Sequence, residues 1–232
     1  MVHGKSIANA GAGEAPGSSV AAYRAEALDP TFTLARHLCK TLGVATVILL
    51  GGVWLARSAE ISHWLLLPVF WLVANVFEWG IHRFAMHRPA RPRVLYRNHA
   101  LVHHNAFKGV AQEIRDPREL SLVMMPWYTL IMVFLMASPV AVVAAVLGGP
   151  ALAGVFLVGS VSYFLLYELI HTLHHLPGHV LGPVDGWIAK LRAHHHHHHQ
   201  LDRMAHVNFN VTLPVADRLL GTYEASSKST TQ

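Results

Sequence analysis

The sequence is poor in charge. Lys, Arg, Asp and Glu make up 13% of its 232 residues, about half of the usual share in soluble proteins. Hydrophobic residues make up 53%, and the mean hydropathy is +0.35. The basic residues behind the net charge of +5 flank apolar segments, which indicates a membrane surface rather than nucleic acid as the partner. The composition therefore favours an integral membrane protein over a soluble domain.

Cysteine is almost absent, and histidine is in excess. Cys39 is the single cysteine among 19 histidines. One cysteine cannot form an intramolecular disulfide, and it excludes a metal site built mainly from thiolates. Imidazole is the commonest metal ligand in proteins, so the histidines are the first candidates for a metal site in this chain.

Four apolar segments predict the fold class. They cover residues 41–56, 61–77, 121–147 and 151–170, and we expect an all-α membrane protein with four transmembrane helices in two hairpins. With a cytosolic N-terminus, the cytosolic side would hold four Lys or Arg in the N-terminal tail, eight in the central loop and five in the C-terminal region. This places 17 of the 18 there, all except Arg57. The bias predicts that both termini are cytosolic.

The remaining sequence suggests one domain between two tails. Residues 1–28 are rich in Gly, Ala and Ser and show no long apolar stripe, so we expect a flexible N-terminal tail. Residues 29–224 form the single membrane domain, and residues 225–232 form a second flexible tail.

The histidines gather in four groups, each at or beyond the predicted cytosolic end of a span. The groups are His82 and His87; His99, His103 and His104; His171, His174 and His175; and the run His194–His199. Their positions predict a cytosolic, histidine-rich helical cap. The scattered His3, His37, His63 and His206 are expected to take no part, and His179 is left open.

Helical spacing predicts which of these side chains converge. On an α-helix, His171 and His175 share one face with Glu168, and His195, His198 and His199 share another. His82 and His87 lie about 140° apart around a helix, so they are predicted to face two different metals. More than eight imidazoles exceed the needs of one ion, which predicts a dimetal site for iron, zinc, copper or nickel.

Several motifs resemble the fatty acid hydroxylase / sterol desaturase superfamily of integral membrane non-haem di-iron oxygenases. The resemblance covers roughly residues 78–223. It rests on "HRFAMH", "HALVHH", "YELIHTLHH" and "RAHHHHHHQ", the last followed by "VNFNVTLPVADRLLGTYE". The second motif is one residue longer than the usual histidine box. The spacing of the third leaves the choice between His174 and His175 open, and Asn210 stands where many members have glycine.

The resemblance implies a set of metal ligands. They are His82, His87, His99, His103, His104, His171, His174, His175, His195, His198 and His199. Within the six-histidine run, His194, His196 and His197 are expected to lie outside the set. Metal-binding histidines usually donate their other N–H to a supporting group, and Glu78, Glu168 and Asp217 are the candidates, ahead of Asp185 and Asp202. No further catalytic residue is predicted.

The implied activity is hydroxylation of a C–H bond in a lipid, a fatty acyl chain or a related molecule, by O2. The cofactor is two iron ions, which zinc could replace in purified protein. A separate donor, a b-type cytochrome or a ferredoxin with its reductase, supplies electrons. One alternative is a desaturase or a carotenoid- or sterol-modifying oxygenase of the same superfamily. Another is a histidine-rich metal transporter, which the near absence of ionisable residues within the spans disfavours.

Overall fold

The structure, a computed structural model, describes residues 18–89 and 93–225. Every regular element in these two ranges is helical, as the composition predicted. The elements are α1 (Ser18–Ala27), α2 (Leu34–Leu55), a 3-10 turn (Ala56–Ser58), α3 (Ile61–Trp64), α4 (Leu67–Ile81), a π-helix (His82–Met86), α5 (Arg93–Tyr96), a second π-helix (Arg97–His103), α6 (His104–Ala106), a 3-10 turn (Pro117–Glu119), α7 (Leu120–Val123), α8 (Tyr128–His175), α9 (Gly178–Leu181), α10 (Val184–His198) and α11 (Val215–Leu219).

Three helical stretches in the described residues are long and apolar enough to cross a membrane. They are Leu34–Ser58, Ile61–Met86 and Pro117–His175. Large apolar side chains point outward from them, and Leu50 and Leu147 are 63% and 78% exposed. Such exposure is expected where a helix faces lipid instead of water.

Helix α8 is broken at Gly148 and Gly149. Gly149 has a φ of 69°, a left-handed conformation that favours glycine, and Pro150 follows it. An unbroken helix of 48 residues would be about 72 Å long, more than twice the hydrocarbon thickness of a bilayer. Instead the two arms, residues 128–147 and 150–175, pack side by side, because Leu130 of the first contacts the cluster that holds Val161 and Phe164 of the second.

Helix α2 packs closely against the second arm of α8. A Cβ atom on Gly154 would lie 2.5 Å from the carbonyl oxygen of Gly52, so only glycine permits this approach. The helix begins at Leu34, seven residues before the predicted segment 41–56, because Thr33 caps it by accepting a hydrogen bond from the Arg36 amide. The first membrane-length helix is therefore longer than its apolar core.

The prediction of a flexible N-terminal tail is wrong for residues 18–27. These residues form α1, which buries Val20 and Arg24. A short stripe of Val20, Tyr23 and Ala27 at helical spacing faces the rest of the molecule. This apolar surface is small, and the hydrogen bonds from Arg24 to the carbonyls of Ala106 and Glu113 further stabilise the docking of α1. The other predicted tail residues, 1–17 and 226–232, lie outside the described residues.

Candidate metal centre

Two π-helices place pairs of histidines side by side. In the first, the His87 amide donates to the His82 carbonyl over 3.2 Å. In the second, the His104 amide donates to the His99 carbonyl. A π-helical turn closes at five residues instead of four, so residues five apart come onto one face. The prediction that His82 and His87 face different metals is therefore wrong, since it assumed an α-helix.

The first cluster joins three parts of the chain. It contains His82, His87, His99, His104 and His198, all buried. Each π-helix and the residue directly after it supply two of these side chains, and α10 supplies the fifth. Neighbouring Nε2 atoms lie 2.8 Å apart for His82 and His99, 3.0 Å for His87 and His198, and 3.1 Å for His99 and His104.

The second cluster is centred on α8 and α10. It contains His103, His171, His175, His195 and His199, again all buried. His171 and His175 are four residues apart on α8, and His195 and His199 are four apart at the end of α10, so each pair shares a face. The Nε2 atoms of His103 and His199 lie 3.1 Å apart, as do those of His175 and His195.

The structure brings together ten of the eleven predicted ligands. His174 lies outside both clusters, and its Nε2–H donates to the Val211 carbonyl over 3.0 Å. The set His195, His198 and His199, predicted as one group, is divided: His198 belongs to the first cluster and the other two to the second. The three remaining members of the run have other partners: His194 contacts Asp217, His196 the His174 carbonyl, and His197 Glu224.

Main-chain carbonyls hold the outer nitrogens of five cluster histidines. Each of these side chains donates its Nδ1–H to one carbonyl: His82 to Phe209, His103 to Leu122, His175 to Gln112, His198 to Val207, and His199 to Phe107. An Nδ1–H donor fixes the neutral tautomer, in which Nε2 carries a lone pair. The fold therefore directs unprotonated Nε2 atoms toward the cluster centres.

This tautomer decides whether the clusters suit a metal. His103 and His199 both donate through Nδ1, so their Nε2 atoms, 3.1 Å apart, face one another with lone pairs and cannot hydrogen-bond. A cation between them would remove the repulsion. Imidazole nitrogens bound at about 2.1 Å lie about 3.0 Å apart at right angles and about 3.4 Å apart in a tetrahedron. The observed spacing fits the right-angled arrangement of a five- or six-coordinate ion.

Burial keeps the cluster histidines outside the membrane-length stretches neutral. Together with the charge of neighbouring histidines, burial lowers the pKa of His87 to about 2 and that of His103 to about 4. Burial also lowers the pKa of His99, His195 and His198 well below its ordinary value. Metals bind the neutral imidazole, so the ligand form is the one present at neutral pH.

The predicted supporting carboxylates do not contact the clusters directly. In the described residues, Glu168 accepts from the Met125 amide over 3.3 Å, and Glu78 accepts from the amides of Val211 and Thr212. Asp217 accepts from His194, which lies outside both clusters. Main-chain carbonyl oxygens, and not the predicted carboxylates, accept the Nδ1–H groups of five cluster histidines.

Asp217 is nevertheless fully buried and ionised. Burial alone would raise the pKa of its carboxyl group, but four donors hold that pKa below the ordinary value. They are His194, the Thr222 hydroxyl and the amides of Asn210 and Phe209.

Arg24 is a buried residue near the second cluster that the sequence reasoning missed. Its guanidinium lies 4.4 Å from the centre of the Phe107 ring, and that ring packs against His175 at 4.6 Å between centroids. Only 2% of Arg24 is exposed. In the sequence, the one indication of this role is that Arg24 lies four residues after Val20, on the short apolar stripe of α1.

Two cavities reach the clusters. One, of about 90 Å³, lies between α4 and α8, is lined by apolar side chains such as Phe77 and Phe156, and ends at His82. The other, of about 330 Å³, has a more polar lining and reaches His99, His103 and His171. Met86 and Met125 line both cavities. The two spaces therefore adjoin beside the clusters.

In the residues that the structure describes, the fold is all-helical, with membrane-length helices and two buried clusters of five histidines. A model of the fatty acid hydroxylase family matches residues 66–222, more than half of the chain. The chain belongs to the fatty acid hydroxylase family, whose members are membrane oxygenases of the hydroxylase and desaturase type. Comparisons with curated proteins and with solved structures give no significant match.

Proposed function

We propose that the protein is an O2-dependent hydroxylase that oxidises a C–H bond of a membrane lipid. Two iron ions would be held by the two clusters, one by each set of five imidazoles. When bound, the iron pair would supply the oxidising power, using O2 and two electrons from a separate donor protein. Five donors for each ion leave one position of a six-coordinate ion free for another ligand.

The observation that carries this proposal is the apolar cavity that ends at His82. Its walls come from α4 and both arms of α8, at the level of the membrane-length helices. Phe77, Phe134 and Phe156 are among the lining residues, and they would bind a hydrocarbon chain and exclude water from it. A lipid tail held there has a carbon close to the first cluster. A soluble polar substrate would gain nothing from such walls.

We further propose four membrane spans with both termini on the cytosolic side. The break at Gly149 and the side-by-side packing of the α8 arms support counting α8 as two spans. The distribution of Lys and Arg supports the orientation. The cluster histidines lie at or beyond the C-terminal ends of α4 and α8, so the clusters would face the cytosol. A transporter would need its ligands near the middle of the membrane instead.

Lipid analysis of cells tests the reaction. Cells that express the protein should contain a lipid heavier by one oxygen atom than the same lipid in control cells. His104→Ala should abolish this product because it removes a donor of the first cluster. His206→Ala, which alters an exposed histidine outside both clusters, should leave it unchanged. A product lighter by two hydrogen atoms would instead identify a desaturase, and identical lipids in all strains would refute the proposal.

A further inference from the structure

A buried backbone segment, residues 207–212, connects the first cluster to carboxylates. The carbonyl oxygens of Val207 and Phe209 accept hydrogen bonds from His198 and His82. The amide groups of the same segment point the other way. Those of Phe209 and Asn210 donate to Asp217 over 2.9 and 2.8 Å. The segment thus has histidines on its carbonyl side and a buried anion on its amide side.

One peptide group makes both contacts. The unit between Phe209 and Asn210 accepts from His82 through its oxygen and donates to Asp217 through its nitrogen. Hydrogen bonds in series polarise one another, so an amide that donates to an anion becomes a stronger acceptor at its oxygen. A stronger acceptor at Nδ1–H makes the Nε2 atom of His82 a better metal donor. Asp217 can therefore act on the first cluster without touching it.

The second cluster is supported by a cation. Arg24 donates to the carbonyls of Ala106, Ala111 and Glu113, and it pairs with Glu119 at 2.8 Å. These carbonyls belong to the last residue of α6 and to the loop that follows it.

Two carbonyls of the same loop accept hydrogen bonds from histidines of the second cluster. The carbonyl of Phe107 accepts from His199 over 3.2 Å, and that of Gln112 accepts from His175 over 2.7 Å. Each lies one residue after a carbonyl that Arg24 binds. Arg24 therefore fixes the position of the two oxygens that orient these histidines.

We propose that Asp217 and Arg24 are positioning residues that control the two metal sites separately. Asp217 strengthens the first site through the 209–210 peptide, and Arg24 orients the histidines of the second. The inference rests on the proposed function in that the clusters bind metal. It adds that the two ions are inequivalent, because a buried carboxylate supports one site and a buried arginine, paired with Glu119, supports the other.

Cobalt titration of the metal-free, full-length protein in detergent tests this proposal. Bound Co²⁺ is counted by elemental analysis and followed by its visible absorption. The wild-type protein should bind two ions. One background, His171→Ala with His175→Ala, disables the second site, and another, His87→Ala with His104→Ala, disables the first. Each background then reports on a single site.

Opposite selectivity is the expected result. Asp217→Asn should weaken Co²⁺ binding about 10- to 100-fold at the first site, the usual effect of losing a group behind a ligand, and should leave the second unchanged. Arg24→Gln should weaken Co²⁺ binding at the second site and leave the first unchanged. Asp202→Asn and Arg118→Gln are matched controls, because these side chains are 76% and 70% exposed, and they should alter neither site.

Binding at the untouched site shows that a variant is folded. If a variant binds cobalt at neither site, Asp217→Glu or Arg24→Lys replaces it, and the same selectivity is expected with a smaller loss. Equal weakening of both sites would mean that the residue acts on the whole fold and would overturn the inference, as would no weakening at all. A wild-type protein that binds fewer than two ions would instead refute the dimetal centre proposed above.

Discussion

The six-histidine run shows that neighbouring identical residues have different roles. His195 and His199 enter the second cluster, and His198 enters the first. His197 lies between them in sequence, but it points away and contacts Glu224 at 3.1 Å. Position on α10 sets each environment, so a run that looks like an affinity tag is largely buried.

Single substitutions within the run should therefore differ sharply. His198→Ala removes a donor of the first site, and we expect iron-loaded protein to retain about one ion per chain instead of two. His197→Ala removes a contact with Glu224 and some packing at a buried position, which should cost about 1–3 kcal/mol of stability but leave both ions bound. Elemental analysis of the two purified variants decides this. Equal metal contents would show that the division of the run between the sites is wrong.

The sequence predicts the set of candidate ligands better than their grouping. Spacing on an α-helix correctly joins His171 with His175 and His195 with His199. It could not divide His198 from His199, because that division depends on which helices lie on either side of α10. Nor could it find the carbonyls behind the rings, since main-chain groups leave no local pattern, and the only sign of Arg24 was its place on a short apolar stripe.

At the level of elements, the π-helices explain the unusual second histidine motif. A π-helix is an α-helix that accommodates one extra residue without changing the register beyond it. The extra residue between His99 and His103 is absorbed in this way, so His99 and His104 still meet in the first cluster. The longer motif therefore does not remove His99 from the site.

Deleting one residue from this π-helix should be tolerated. Removal of the exposed Leu101 would leave His99 and His104 four residues apart, which places them on one face of an ordinary α-helix. We expect this deletion to retain two ions per chain. Deletion of His197 from α10 should not, because it rotates His198 and His199 about 100° relative to His195.

Metal content of the two deletion variants provides the comparison, and far-UV circular dichroism checks that each remains helical. Loss of metal on removal of Leu101, with helicity intact, would show that the π-helix positions the histidines in a way that an α-helix cannot. Retention of both ions after removal of His197 would contradict the assignment of α10 donors to two sites.

For the whole molecule, the fold places two unusually polar clusters among apolar helices, and the sequence predicts much of this frame. Low charge and long apolar segments correctly predict an all-helical chain with membrane-length helices. They do not predict the docking of α1, whose apolar stripe is too short to be recognised and whose position depends on Arg24. Membrane-length helices are visible in composition, whereas a helix attached by one buried side chain is not.

Burying many neutral histidines should make the metal-free protein sensitive to acid. The folded-state pKa is about 2 for His87 and about 4 for His103, below the ordinary value of 6.5. Between pH 6.5 and about pH 4, the unfolded chain takes up protons at these positions and the folded chain does not. The free energy of unfolding therefore decreases as the pH is lowered through this range. Each such histidine contributes about 1.4 kcal/mol per pH unit.

Thermal unfolding of metal-free protein in detergent should therefore show a Tm that is steady above about pH 7 and drops steeply below about pH 6. Bound metal should displace the drop to lower pH, because protons must then compete with the ion for the same nitrogen atoms. A metal-free Tm that stays constant down to about pH 4.5 would mean that these histidines are already accessible to protons in the folded protein, which would contradict the lowering of their pKa by burial.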